Sequence, residues 1–194
     1  MLNWLVSDHK TKQFSFKCSG CGKTHRGAPS FSFSRPAETC KIPKAEFDDR
    51  VYLTKDLCSI DNTSFYIRGT LKVPIIDSDE SFVWGLWVKQ SEESFHRYLD
   101  SYGRDQSGQH SYGWLPADFY TNREWRSRAT DNGVLKTDVH WCSPGNHPEI
   151  EIFKSENHPL AQDQREGISW DRAVELTMNT MHPTATDQSL TRAS

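Results

Sequence analysis

The chain has 194 residues, with 23 Lys and Arg against 26 Asp and Glu, a formal net charge of −3, and 35% apolar residues. That balance is wrong for a nucleic-acid binder, which carries a basic surplus or a basic face, and no apolar run approaches the ~18 residues of a membrane span. A mean hydropathy of −0.74 would suit a disordered chain, but seven Trp, six Tyr and ten Phe, each able to bury ~150–250 Å², exclude a wholly disordered one.

Residues 1–12 read as a lead-in, with Trp4 and Leu5 as its apolar docking points. It lacks the basic start and long apolar core of a signal peptide, so a cytoplasmic location is expected. Gln13 to Cys18 alternates polar and apolar residues, as a half-buried strand does, and runs into Gly20 and Gly22, which mark a tight turn. After Pro43, Lys44 to Leu53 is expected to form a short helix. Ser64 to Val73 predicts a strand ending at Pro74, and the aromatic and aliphatic run Phe82 to Val88 predicts a central strand. Ser91 offers an N-cap, with Glu92 and Glu93 in the first turn, where the helix dipole favours them. Phe95, Tyr98, Leu99 and Tyr102 then fall at i, i+3, i+4 and i+7, and Gly103 ends the helix.

Residues 103–112, rich in Gly, Ser, Gln and His, are expected to form a loop. Arg123, Arg126 and Arg128 interleave with Trp125, but Glu124 and Asp131 lie among them, so the segment reads as a solvated face. Val134 to Trp141 and Glu149 to Phe153 alternate on either side of Ser143-Pro-Gly-Asn146 and predict a hairpin. Ser169 caps a final helix carrying Trp170, Ala173, Val174, Met178 and Met181 along one face. Residues 183–194 are polar and non-periodic and read as a flexible tail. Strands and helices without regular βαβ alternation predict an α+β domain over 13–182, a mainly antiparallel sheet flanked by two or three helices.

The sharpest chemical signal is Cys18-Ser-Gly-Cys21-Gly-Lys-Thr-His25, a zinc-knuckle-like turn over 18–25. A Cys-x-x-Cys turn with glycines points two thiolates at one ion, and His25 is placed as a third ligand. Soft thiolates with imidazole suit zinc. A structural site wants a fourth ligand, for which Cys58 is the first choice, with Cys40, Cys142 and His158 behind it. A metal-free thiol pair and ordinary buried cysteines are the alternatives. Five cysteines without a secretion signal speak against a disulfide framework. Gly22, Gly27 and Pro29 make poor helix, which speaks against a redox pair at a helix N-terminus.

Elsewhere the signals are weaker. His147-Pro-Glu149 has the first element of a zinc-deaminase signature, but Lys17 stands before Cys18 where that chemistry has Pro, and the order is reversed. His147 therefore reads as a loop residue. No nucleophile elbow or phosphate-cradling glycine loop is present. Arg68, inside an apolar strand, reads as an ion-pair partner of nearby Asp61, with an anion site as the second reading. Trp84-Gly-Leu-Trp87 reads as core, with Trp87 facing a partner if one face of the strand is exposed.

Taken in order, Phe16 to Pro29, Arg35-Pro36, Asp56 to Asp61, Phe65 to Pro74, Phe82 to Val88 and His158 to Ile168 resemble a family of uncharacterised bacterial proteins known as domain of unknown function 2199. The resemblance weakens between Ala117 and Val139. It implies no activity, but it implies that Cys18, Cys21 and His25, with Cys58 and His158, belong to the family pattern. The reading is a cytoplasmic protein with a structural zinc site at Cys18, Cys21, His25 and Cys58. It is expected to act as a protein-binding or accessory protein of the immunity type, with Arg68, Trp87 and His158 as interaction or anion-site candidates. A protein partner is expected, and neither nucleic acid nor membrane. The alternative is a zinc-dependent hydrolase-type enzyme with an open metal position and Asp61 or Glu149 as general base.

Overall fold

A computed structural model of the chain describes residues 12–116 and 133–182. The expectations for Trp4 and Leu5, for Arg123 to Arg128 with Trp125, and for the 183–194 tail lie outside the described residues. Among the described residues the fold is α+β: four α-helices, a mixed eight-stranded sheet that closes into a barrel, and a small antiparallel sheet of β1 (Ser15–Lys17) and β2 (Thr24–Arg26).

The barrel is built from five consecutive strands, β6 (Ser64–Pro74), β7 (Ser81–Gln90), β8 (His110–Pro116), β9 (Val134–His140) and β10 (Glu149–Ile152). Each pairs antiparallel with the next. In a meander of five strands the first and fifth run the same way, so the closing pair has to be parallel. It is, through Glu149 opposite Thr70. β6 and β7 are longer than the barrel requires, and their spare edges recruit further strands. β3 (Ser30–Ser32) pairs parallel with β7, while β5 (Leu57–Ile60) and β4 (Val51–Leu53) extend from β6.

Side-chain alternation does the rest. Ile67, Leu71, Leu86, Val88, Leu115, Leu135, Val139, Ile150 and Ile152 point inward and are buried in one cluster, each aliphatic side chain contributing ~1.5–3 kcal/mol of transfer free energy. Their neighbours Lys72, Lys89, Tyr112, Trp114, Lys136 and Glu151 face solvent. A barrel this narrow has to be filled by its own side chains, and at two inward positions only glycine fits. A Cβ on Gly69 would stand 2.8 Å from Ile150 Cγ1, and one on Gly113 2.9 Å from the Lys89 carbonyl. One barrel end is covered by α2 (Glu92–Asp100), whose Phe95 packs on Phe65 and whose Tyr98 packs on Trp141, both with ring centroids 5.1 Å apart. Ser91 caps this helix as expected, accepting from the Ser94 amide at 3.1 Å.

A second, smaller core lies on the outer face of β6 and β7. There Val51, Cys58, Ile60, Tyr66 and Trp87 pack together beneath Ile42, Phe47 and Leu53. The expected helix over Lys44–Leu53 is broken up to make this cover: a 3-10 turn Lys44–Glu46, a single turn α1 (Phe47–Arg50), then β4. The extended backbone of Val51–Leu53 is needed to pair with β5, and tertiary pairing overrides local helix propensity.

The hairpin expected at Val134–Trp141 and Glu149–Phe153 is present as β9 and β10. The loop expected over 103–112 is shorter, because β8 starts at His110. Its inward positions Ser111 and Gly113 are not apolar, so the alternation is hidden. Ser111 sits instead in a buried polar chain, accepting from Trp141 Nε1 at 3.1 Å and donating to Gln90 Oε1 at 2.7 Å. The described residues close with α3 (Pro159–Glu166), which has no counterpart among the expected elements, and α4 (Trp170–Met181), capped by Ser169 as expected. No helix among the described residues is long and apolar enough to cross a membrane.

Gly113→Ala should destabilise the protein by ~1–3 kcal/mol, the cost of overpacking a filled core. Chemical denaturation would measure it, and an unchanged midpoint would show that the barrel wall has room to spare at β8.

Candidate metal centre

The N-terminal hairpin is pinned to the last helix. Phe14 and Phe16 belong to the main core, and the Phe14 ring lies 4.8 Å from that of Trp170 on α4. Glu80, in the β6–β7 connection, holds the hairpin from the other side. Its Oε2 accepts from the amides of Phe14 at 2.9 Å and Ala28 at 3.0 Å, one residue on each side of the hairpin.

Between β1 and β2 the chain turns tightly. The Cys18 amide donates to the Lys23 carbonyl and the Gly22 amide to the Cys18 carbonyl, both at 2.8 Å. Gly22 takes a φ of +73°, a left-handed conformation that suits glycine. This turn aims its own amides at the Cys18 sulfur. The N–H of Cys21, helped by the Cys21 thiol and the N–H of Gly20, outweighs burial and holds the Cys18 thiol below its ordinary range. Such donors favour the thiolate, which is the form that binds a metal.

The third donor comes from the far end of the domain. His182 follows α4 directly, its amide bonded to the Met178 carbonyl at 2.8 Å. Its ring lies against Gly20, where a Cβ would come within 2.9 Å of Cδ2. Cys18, Cys21 and His182 present ligand atoms that all lie within 4.8 Å of one another. Zn–S bonds of ~2.3 Å and Zn–N bonds of ~2.0–2.1 Å at tetrahedral angles put neighbouring ligand atoms ~3.5–3.8 Å apart, so a modest contraction would let the cluster grip an ion. His25 stands outside that common set. Its Nε2 is nevertheless 3.4 Å from Cys21 Sγ, close to the spacing of two ligands on one ion, and its ring stacks on Phe16 at 5.2 Å.

The remaining sequence candidates fall elsewhere. Cys58, expected as the fourth ligand, is wholly buried in the second core beside Tyr66 and Trp87 and does not join Cys18 and Cys21. β5 pairs with the end of β6 remote from the knuckle strands, and burial pushes the Cys58 thiol up to about 12. Trp87 also belongs to this core; its indole N–H donates to the Phe33 carbonyl at 3.0 Å, so it is not a surface for a partner. His158 is buried as the N-cap of α3, its Nδ1 accepting from the Leu160 amide at 3.2 Å. Asp61, the partner expected for Arg68, is taken instead by Arg50, with bonds of 2.8 and 2.7 Å that lower its pKa. Glu149, the other base considered, pairs with Lys72. Arg68 lines a cleft on the barrel, together with His147.

The donor that sequence reasoning missed is His182. Its one signal was periodicity: four residues beyond Met178, it continues the face of α4 that carries Trp170, Val174 and Met178 toward the hairpin.

A family model described as an uncharacterized protein conserved in bacteria (DUF2199) matches residues 17–168. That span includes Cys18, Cys21, His25, Cys58, Arg68 and His158 and stops short of His182. No curated protein and no solved structure matches the chain.

Alkylation of the folded protein at pH 8 should modify exposed Cys40 quickly and leave Cys58 unmodified until denaturant is added, since its thiol is both inaccessible and protonated. Mass mapping of the modified peptides reads this directly. Labelling of Cys58 at the rate of Cys40 would mean that the second core opens readily.

Proposed function

The chain belongs to the DUF2199 family, whose description carries no activity, and from there we propose that it is a metal-stapled binding protein of the bacterial cytoplasm. A structural zinc ion is held by the thiolates of Cys18 and Cys21 and by His182, with His25 swinging in as the fourth ligand. The observation that carries this reading is the convergence of donors from residues 18 and 182, nearly the whole domain apart in sequence. A link of that length restricts the unfolded chain by ~5 kcal/mol in the chain-entropy description of cross-links. A reducing compartment keeps such thiols available to a metal. The binding role rests on the outer wall of the barrel, where Tyr112 and Trp114 alternate onto the same exposed face of β8 and Phe153 meets the Tyr112 ring edge-on at 5.7 Å. Exposed Tyr and Trp side chains are the residue types that dominate protein interfaces.

A second reading, a hydrolase-type enzyme with an open metal position, draws on the count of three donors in the common set. The two readings differ over His25. In the structural site His25→Asn weakens metal retention; in the open site it leaves retention unchanged.

Elemental analysis of protein purified without chelator should find about one zinc per chain, the stoichiometry of a mononuclear site. Cys18→Ser, Cys21→Ser and His182→Asn should each lose it, while Cys58→Ser keeps it. Removing the metal by chelation should lower the melting temperature of the wild type and not that of Cys18→Ser. A wild-type protein with no stoichiometric metal would overturn the proposal, and a Cys18–Cys21 disulfide in that sample would establish the thiol pair in its place.

A further inference from the structure

β6 has two unlike edges. One pairs with β7 along Phe65 to Pro74. The other is divided: β5 takes Ser64 to Ile67, and β10 takes over at Thr70. At the changeover the backbone is satisfied from two different loops, the Arg68 amide donating to the Asp56 carbonyl at 2.9 Å and the Thr70 amide to the Pro148 carbonyl at 2.7 Å. This draws the β4–β5 turn and the β9–β10 connection to the same place. Between them and the C-terminal end of α2 lies a cleft of about 330 Å³, at the small end of the size range of metabolite sites. Cys18, Cys21 and His182 do not line it.

The charges in the cleft are unbalanced. Lys55, Arg68 and Arg104 line it against a single carboxylate, Asp56. Asp56 is only 6% exposed and has three polar neighbours, although its Oδ1 accepts no hydrogen bond. The Tyr102 hydroxyl donates to its Oδ2, Lys55 Nζ is 3.7 Å from the same oxygen, and His147 Nδ1 lies 3.2 Å from Oδ1. Burial, and then the bond to Asp56, push the Tyr102 hydroxyl up to about 12, so it stays a donor at neutral pH.

Arg68 has no such partner. Among the described residues it makes no ion pair, and its one side-chain hydrogen bond runs from Nη1 to the Lys55 carbonyl at 3.2 Å. Its Nε is shut from water and has no acceptor. A guanidinium has five N–H donors in a planar fork that matches carboxylate and phosphate groups. Arg68 is half-buried, and leaving its Nε without an acceptor where water does not reach carries a cost that an anion on the fork would offset.

We propose that this cleft binds a small organic anion, its carboxylate or phosphate group taken by the Arg68 guanidinium, with Lys55 and Arg104 at the rim and the rings of Tyr98 and Tyr102 beside the organic part. Asp56 and His147 then act as positioning residues: Asp56 anchors Tyr102 and His147, which fixes the mouth of the cleft. The site does not depend on the proposed metal.

The test uses full-length ¹⁵N-labelled protein titrated with inorganic phosphate and, separately, with acetate, at ionic strength held constant by sodium chloride. The readout is the Arg68 Nε–H resonance. Saturable movement of that resonance is expected in at least one arm, and the arm that saturates at lower concentration identifies the anion class. Arg68→Lys should weaken binding by about tenfold or more, since it keeps the charge and loses the fork. Lys55→Ala and Arg104→Ala should weaken it by about two- to fivefold, as rim charges do. Lys136→Ala, on the outer face of β9, should leave it unchanged. If Arg68→Lys does not fold, the wild-type resonance and the two rim variants decide the matter. Shifts that never saturate in either arm, or that are the same in the rim variants as in Lys136→Ala, would overturn the proposal.

Discussion

Most of this structure follows from the length of one strand. At 11 residues, β6 is longer than the barrel wall it belongs to, and a strand cannot leave the backbone groups of a buried edge unpaired. The surplus has to be met by other elements. β10 meets the middle of that edge and closes the barrel. β5, backed by β4, meets its beginning and creates a second core on the outer face, beneath the 42–53 segment. Every change of partner along the edge brings a different loop into contact, and the charged cleft sits at one of these changes. The second core and the cleft are thus two results of the same mismatch between strand length and barrel height.

The hairpin carrying the two cysteines relates to this body in another way. Among the described residues it shares no strand pairing with the large sheet. It is held by aromatic packing on α4 and by one carboxylate, Glu80, that reaches out from the β6–β7 connection to two of its amides. Aromatic packing fixes the hairpin's position, and a metal shared between the turn and the end of α4 would add directional bonds to that apolar contact. In the acidic loop Asp77 to Glu80, Glu80 thus serves as the hairpin's clasp.

How much of this was legible beforehand depended on whether the signal was local. Ser91 and Ser169 were read correctly as caps because a cap needs only its own helix. β9 and β10 are legible from alternation, β7 from its near-continuous apolar run, and β6 from a strand-like stretch that ends at Pro74. β8 was masked because Ser111 and Gly113 face a space too tight or too polar for aliphatic side chains. Lys44–Leu53 misled because its extended end is imposed by pairing with β5. For the site, Cys18 and Cys21 were evident from spacing alone, whereas His182 and the exclusion of Cys58 depend on which elements meet in space. Arg68 stood out as a charge in an apolar strand, but its environment could not be inferred, since Asp61 had an equally good partner in Arg50. His147 reads from the sequence as a loop residue, because what makes it notable is Asp56, 91 positions away in sequence and brought beside it only when the barrel closes.

The distance between residues 18 and 182 also sets an order of events. The Cys-x-x-Cys turn is among the first parts of the domain to be synthesised, and its two thiols are available to a metal as soon as they emerge. The imidazole that would complete their grip is made only after the barrel and α4. During synthesis the nascent chain would therefore hold an ion less tightly, by the two sulfurs and His25 of the turn alone, and exchange it more readily with the cell's other thiols. Only a finished domain would retain it, so that tight metal retention would report on the completeness of the chain as much as on the chemistry of its ligands.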